Sequence, residues 1–413
     1  MRASKTGANW RACEVPAALS GPTGTHQPIF FFFVGDISMH FHRLNWHSWL
    51  FALALATGLA TPATAQIRVG QPSGFTGSVA AGVKENTDGA KLYIDAVNAQ
   101  GGVNGQKIEL VSLDDQFDPA KTLAQATELI DTQRVIALFL NRGTPHAQAL
   151  LPLLAERKVP LVAPSTGAMA LHKPVHPWVF NVRATYQREA ARAVEHLAGL
   201  GVTRIAVLQT DDSFGADSAI GANAGFDKAG LKPHWLETFP RDKPDFTALS
   251  KKVVTSEAQA VVFIGSAGNV AAGVLAIRAA GSSAQIVTLS NNASDGFIKQ
   301  LGAHARGVVV TQVFPNERSV AHPLSKEAMD LAKAKGLPGV SPAMMEGFAA
   351  AKVLVEGLKR AGPNPTGPRL RDALEGITNF DMGGMRLSYS ATDHSGLDFA
   401  DLSIIDAGGK FRR

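Results

Sequence analysis

Two short segments carry the residue types that hold a small anion. Pro164-Ser165-Thr166-Gly167 follows the apolar run Val159-Pro160-Leu161-Val162-Ala163, and Gly143-Thr144 follows the apolar run 135–140. Ser165 and Thr166 offer hydroxyl donors, and Gly167 lets the backbone approach a ligand closely. Pro164 predicts an extended Ala163. A helix beginning after Gly167 would aim unpaired N–H groups, and the positive end of its dipole, at the same spot. A carboxylate fits there without any arginine. Charge-assisted hydrogen bonds of this kind are worth about 1.5–3 kcal/mol each. Either loop alone reads equally well as an N-cap with nothing bound. The pair, echoed later in the chain, favours a site.

The echo lies in the second half. Asp211-Asp212-Ser213-Phe214, Ser266-Ala267 and Asn291-Asn292 each follow an apolar run. Asp212 could meet an ammonium group or cap the helix that follows it. Phe214 could form an apolar wall or pack in the core. Tyr186, one of three tyrosines, could stack on a ligand or brace a hinge. The candidate ligand-binding set is therefore Gly143, Thr144, Ser165, Thr166, Gly167, Tyr186, Asp212, Phe214, Ser266, Asn291 and Asn292.

Chemistry of other kinds finds no carrier. No H-E-x-x-H pair, phosphate loop or G-x-S-x-G elbow is present. "GSAGNVAAG" (265–273) misses the dinucleotide spacing. His172 and His176 fall at i, i+4, but Pro174 and Pro177 break the helix face they would need. "DDQFD" (114–118) reads as a strand end and helix cap. No catalytic residue, metal or cofactor is expected, and a hydrolase lacks a nucleophile–base pair.

The elements that position these loops alternate. From Gln66 onward short β-branched runs lead into helical patterns: strands at 67–74, 106–115, 135–140 and 159–163, with helices at 85–102, 118–131 and 145–158. The pattern restarts after Tyr186 with strands at 204–212 and 233–240, a strand and loop at 258–269, and further runs at 285–294 and 307–315. Alternation of this kind predicts an α/β fold with parallel sheets covered on both faces. In such sheets ligands sit outside the carboxyl ends of the strands, so two facing lobes would set four polar loops around one cleft. The terminal "GMRLSYS" and "ADLSIIDAGGKF" read as a hairpin-like pair.

A length of 413 residues suits two lobes. A formal net charge of +5, with no Lys/Arg-rich block, argues against nucleic acid as a partner. "MHFHRLNWHSWLFALALATGLATPATAQ", from Met39, has the n-region, apolar stretch and Ala63-Thr64-Ala65 end of a secretory signal, with cleavage expected before Gln66. Met39 is the expected start, with residues 1–65 as signal region. The single cysteine, Cys13, lies in the part to be removed, so the exported chain has no disulfide and no cysteine for a lipid. A soluble periplasmic protein without membrane insertion is expected.

The chain resembles the branched-chain amino-acid-binding (type I periplasmic binding protein) family of ABC importers. The likeness rests on ordered blocks: "GGVNGQKIELVSLDDQFDPAKTLAQATELI", "GTPHAQALLPLLAERKVPLVAPSTGA", "VFNVRATYQREA", "EGFAAAKVLVEGLKRAG" and "DHSGLDFADLSIIDAGGKF". The resemblance implies two Rossmann-like lobes joined by three crossovers, near 184–186, 314–315 and Phe380. The N-terminal lobe would be 66–184 with 315–378, and the C-terminal lobe 185–314 with 379–413. It implies a carboxylate held by the loops at 143–144 and 164–167, a monomer, and ABC permease subunits as partners. Family members that bind amino acids pair the ammonium with an acidic side chain in the second lobe. Here the loop reads "LSNNASDGF", with Asn291 and Asn292, which opens the ligand to aromatic or other organic carboxylates. A ligand sensor of the same fold, regulating a signalling partner, is the alternative.

Overall fold

The computed structural model describes residues 66–413. The signal region, Cys13 and the start at Met39 lie outside the described residues. The first apolar runs become β1 (Ile67–Ser73), β2 (Ile108–Asp114), β3 (Ala137–Phe139), β4 (Leu161–Val162) and β5 (Val179–Phe180). They form one parallel sheet in the order β2-β1-β3-β4-β5. Parallel neighbours need crossover connections. Helices α1 (Ala80–Ala99), α2 (Pro119–Asp131) and α3 (Thr144–Arg157) provide them. Val69, Leu138, Phe139, Leu161 and Phe180 are fully buried, as strands covered on both faces require.

The second lobe repeats the scheme. It comprises α4 (Tyr186–Gly199), β6 (Ile205–Thr210), α5 (Ser213–Ala229), β7 (Trp235–Phe239), α6 (Thr247–Thr255), β8 (Ala260–Ile264), α7 (Ala267–Ala279), β9 (Gln285–Thr288), α8 (Asp295–Leu301) and β10 (Val309–Gln312). With β13 (Asp401–Ile405) and β14 (Phe411–Arg412) these strands order as β14-β13-β10-β9-β8-β6-β7. Only the β10–β13 and β13–β14 pairs are antiparallel.

After β10 the chain returns to the first lobe. Helices α9 (Pro323–Ala334), α10 (Pro342–Ala361) and α11 (Gly367–Glu375) share a core with Val69, Phe139 and Phe180 through Leu324, Phe348, Leu354 and Leu370. Helix α10 lies against α1 almost backbone to backbone. A Cβ on Gly89 would fall 2.0 Å from the Met344 carbonyl oxygen, and one on Gly347 would fall 1.8 Å from that of Asn86. Glycine at both positions permits the crossing.

The terminal strands differ from the expected pairing. Arg386–Leu387 (β12) pairs with Phe380–Asp381 (β11), not with the last segment. Met382, Leu387, Tyr389 and Leu397 all sit in the first lobe's core, and Tyr389 Oη donates to the Asn181 carbonyl at 2.6 Å. The third passage between lobes therefore lies between Leu397 and Asp401 rather than near Phe380. Burial of these apolar side chains in the first lobe's core holds 382–397 there.

Candidate ligand-binding site

Polar loops at the carboxyl ends of the strands face one another, and in this state they touch. Gly268 N–H donates to the Ser78 carbonyl at 3.0 Å, and Ser213 Oγ donates to Gln148 Oε1 at 2.7 Å. Further out, Glu85 accepts from the N–H groups of Asp295 and Gly296 at 3.0 and 2.8 Å. Between the rims lies a small, narrow cavity. Its walls include Val79, Phe117, Tyr186 and Phe214, its charged members are Arg142 and Arg241, and its polar members include Thr144, Ser266, Asn269 and Asn291.

The loop at 143–144 reaches this cavity because of its backbone. Gly143 has φ +102° and precedes the first residue of α3, so the helix N-terminus points at the cavity. A Cβ there would lie 2.5 Å from His146 Nδ1 and 3.0 Å from Phe117 Cε2. The Thr144 and Thr166 hydroxyls bond each other at 2.8 Å.

The 164–167 loop sits one layer behind the cavity, and Ser165, Thr166 and Gly167 do not line it. Ser165 Oγ donates to Glu346 Oε1 at 2.7 Å and accepts from Asn86 Nδ2 at 2.8 Å and Arg142 Nη1 at 3.1 Å. One proton and two lone pairs are thereby used up, leaving the hydroxyl no capacity for a ligand. The close approach at Gly167 is to the chain itself: a Cβ would lie 2.6 Å from the Ala184 carbonyl oxygen. No α-helix starts after it, only a 3₁₀ turn at Met169–Leu171. Ala163 departs from the extended backbone expected before Pro164, with φ +52° in the left-handed region.

Sequence reasoning missed several wall residues, among them Arg241, Phe117 and Asn269, and above all Arg142. It is 4% exposed, lines the cavity, and donates from Nη2 to the Asn291 carbonyl of the other lobe. Behind it a buried polar chain continues through Ser165 to Glu346, whose Oε2 lies 3.8 Å from Arg183 Nη1. Arg183 pairs with Glu189 and donates to Ser290 Oγ at 2.7 Å. Burial opposes the charge on Arg183, yet Glu189 and Glu346 beside it hold its pKa above the ordinary arginine value. The only signal for Arg142 was its place at the end of the β3 run, directly before Gly143.

In the second lobe, Tyr186 and Phe214 line the cavity and meet edge to face, with centroids 4.7 Å apart. Burial pushes the Tyr186 phenol above its usual range. Asp212 does not line the cavity. It caps α5, accepting from the N–H groups of Phe214 and Gly215 at 2.8 and 3.0 Å, and it pairs with Arg241. Arg241 in turn lies over the Phe117 ring, 4.8 Å from its centroid. Ser266 and Asn291 line the cavity. Asn292 stands behind, donating to the Gly265 carbonyl at 3.1 Å and Thr288 Oγ1 at 2.9 Å. Among the described residues no group of His, Cys, Asp and Glu could hold a metal ion.

The Periplasmic binding protein family model matches residues 66–408. The chain belongs to that family. As a member it is a substrate-binding protein and not an enzyme. This binding protein is 25% identical over 346 residues to the Leu/Ile/Val-binding protein homolog 3 of Brucella melitensis, covering 83% of this chain and 92% of that one. Its fold matches the crystal structure of a substrate-binding periplasmic protein from Ralstonia solanacearum. That match has TM-score 0.77 and 32% identity, over 84% of this chain and 99% of that chain. An extracellular ligand-binding receptor from Verminephrobacter eiseniae matches with TM-score 0.75 and 26% identity, over 84% and 100%. Two α/β lobes with mostly parallel sheets are thus the family architecture.

Proposed function

We propose that this binding protein captures a small carboxylate-bearing solute between its lobes and delivers it to the permease subunits of an ABC importer. The observation that carries the reading is Arg142, a buried guanidinium at the N-terminal end of α3 on the wall of the interlobe cavity. A guanidinium and a helix N-terminus together form a strong seat for a carboxylate. Rim contacts such as Gly268 to Ser78 exist only when the lobes close. Ligand that touches both rims therefore favours the closed form, which the permease reads.

The protein works in the periplasm as a monomer, directed there by the signal pattern in 39–65. Family membership supports that location. Among the described residues no helix is long and apolar enough to cross a membrane. The test is a thermal-shift screen of the purified protein against amino acids, aromatic acids and dicarboxylates. A ligand at a hundred times its Kd stabilises by about 2.7 kcal/mol, so at least one carboxylate raises Tm measurably. A screen in which only uncharged or cationic solutes do so contradicts the reading.

A further inference from the structure

The cavity discriminates by what it lacks and by what it leaves unbonded. The charged residues on its wall are Arg142 and Arg241, and Thr144 at the start of α3, Phe214 in the first turn of α5 and Ser266 at the N-cap of α7 bring three helix N-termini to it. Each adds positive potential. The carboxylates nearest the arginines are committed elsewhere: Asp212 to Arg241 and the α5 cap, Glu346 to Ser165 and Arg183. An ammonium group entering this space meets two guanidiniums and no carboxylate on the wall.

Two buried polar atoms on the same wall have no partner. Ser266 Oγ, on a residue 8% exposed, occupies the N-cap position of α7 without bonding the helix. Asn291 Oδ1, on a residue 7% exposed, is also unpartnered. The amide orientation of Asn291 is fixed, since its Nδ2 donates to the Gly265 carbonyl at 2.9 Å and to Asn292 Oδ1 at 3.1 Å. Its Oδ1 can only accept. A buried acceptor left unmade is costly, so the occupant of the cavity must present a donor there. Tyr186, Phe214 and Val79 supply its apolar wall, with the two rings edge to face and the Arg183 guanidinium over the Tyr186 ring.

We infer that the preferred solute is a hydroxylated aromatic carboxylate without an amino group. Its carboxylate sits at Arg142 and the start of α3, its ring lies against Tyr186 and Phe214, and its hydroxyl bonds Asn291 Oδ1 and Ser266 Oγ. This rests on the carboxylate reading above and narrows it.

The experiment is titration calorimetry of the purified protein with matched probes. 3-(4-Hydroxyphenyl)propanoate and L-tyrosine differ only in the amino group. 4-Hydroxybenzoate and benzoate differ only in the hydroxyl. L-Leucine serves as an aliphatic amino acid. At least one hydroxylated acid should bind tenfold or more tighter than its partner lacking the hydroxyl or carrying the amine, and tighter than leucine. Asn291→Leu should bring the ratio of 4-hydroxybenzoate to benzoate affinity towards one, and a ratio unchanged from the wild type overturns the inference. Tighter binding of tyrosine or leucine overturns the inference and leaves the carboxylate reading standing. Binding of none of the five overturns the inference, and with no carboxylate active in the thermal screen the broader reading falls too.

Discussion

Arg142 and Asn291, 149 residues apart, meet across the cleft: a guanidinium of the first lobe donates to a main-chain carbonyl of the second. The side chain proposed to hold the ligand carboxylate thus also bridges the lobes. Arg142→Ala should weaken binding of any carboxylate by tenfold or more, at least about 1.4 kcal/mol. Arg142→Lys should recover only part of that, because a point charge cannot reach Ser165 and Asn291 together as the fork does. Calorimetry with the best ligand of the thermal screen measures both.

Ser165 acts differently, by holding Arg142 in place. Ser165→Ala leaves an Asn86 donor, a guanidinium and the Glu346 carboxylate short of a partner in a buried site. The expected cost is about 1–3 kcal/mol of stability, read by urea denaturation, together with weaker binding. The double variant Ser165→Ala with Thr166→Ala should lose well over tenfold in affinity while remaining folded.

Much of the architecture is readable from alternation. Runs such as Ile205–Thr210 and Ala260–Ile264 are rich in β-branched residues and buried throughout, so their class and order follow from pattern. The loops holding Gly143, Thr144, Tyr186, Phe214, Ser266 and Asn291 follow those runs and meet at one cavity. The bonded chain behind it was not readable. Its links join Ser165 to Glu346, 181 residues away, and Arg142 to Asn291, and no local spacing encodes such pairs. Arg241 lies in a charged loop after β7, and only the fold sets Asp212 and Phe117 against it.

Asp212 separates two roles by substitution. Asp212→Ala removes both the α5 cap and the partner of Arg241, and should cost about 1 kcal/mol. Asp212→Asn keeps the cap and should cost less, so any change in ligand affinity common to both variants reports on Arg241.

The α1–α10 crossing sets a steric limit. Gly347→Ala places a methyl group 1.8 Å from a backbone oxygen that neither helix can easily move. Overpacking of this kind costs about 1–3 kcal/mol or more, and Tm should fall by several degrees. An unchanged Tm would mean that the helices separate without penalty.

Acid should weaken the fold. Burial pushes His146 and His172 down to about 4. Their folded forms bind fewer protons than their unfolded forms, so the stability they contribute is complete above about pH 6.5 and is lost as pH falls towards 4. Full loss amounts to at most about 3 kcal/mol per histidine. Asp115, pushed up to about 6 by burial, works in the opposite direction over part of that window. Burial also lowers His176, His322 and His394, and it raises Glu85, Asp217 and Glu317; five histidines against four carboxylates give a net decline, which urea titrations from pH 7 to pH 4 would measure. His146→Gln with His172→Gln should flatten it.

The most direct measurement is a crystal structure of the protein with the carboxylate that raises its Tm most. The account predicts lobes closed on that ligand, with its carboxylate hydrogen-bonded to Arg142 and the first N–H groups of α3. A ligand bound outside the interlobe cavity, or inside it with its carboxylate facing away from Arg142, would contradict the account.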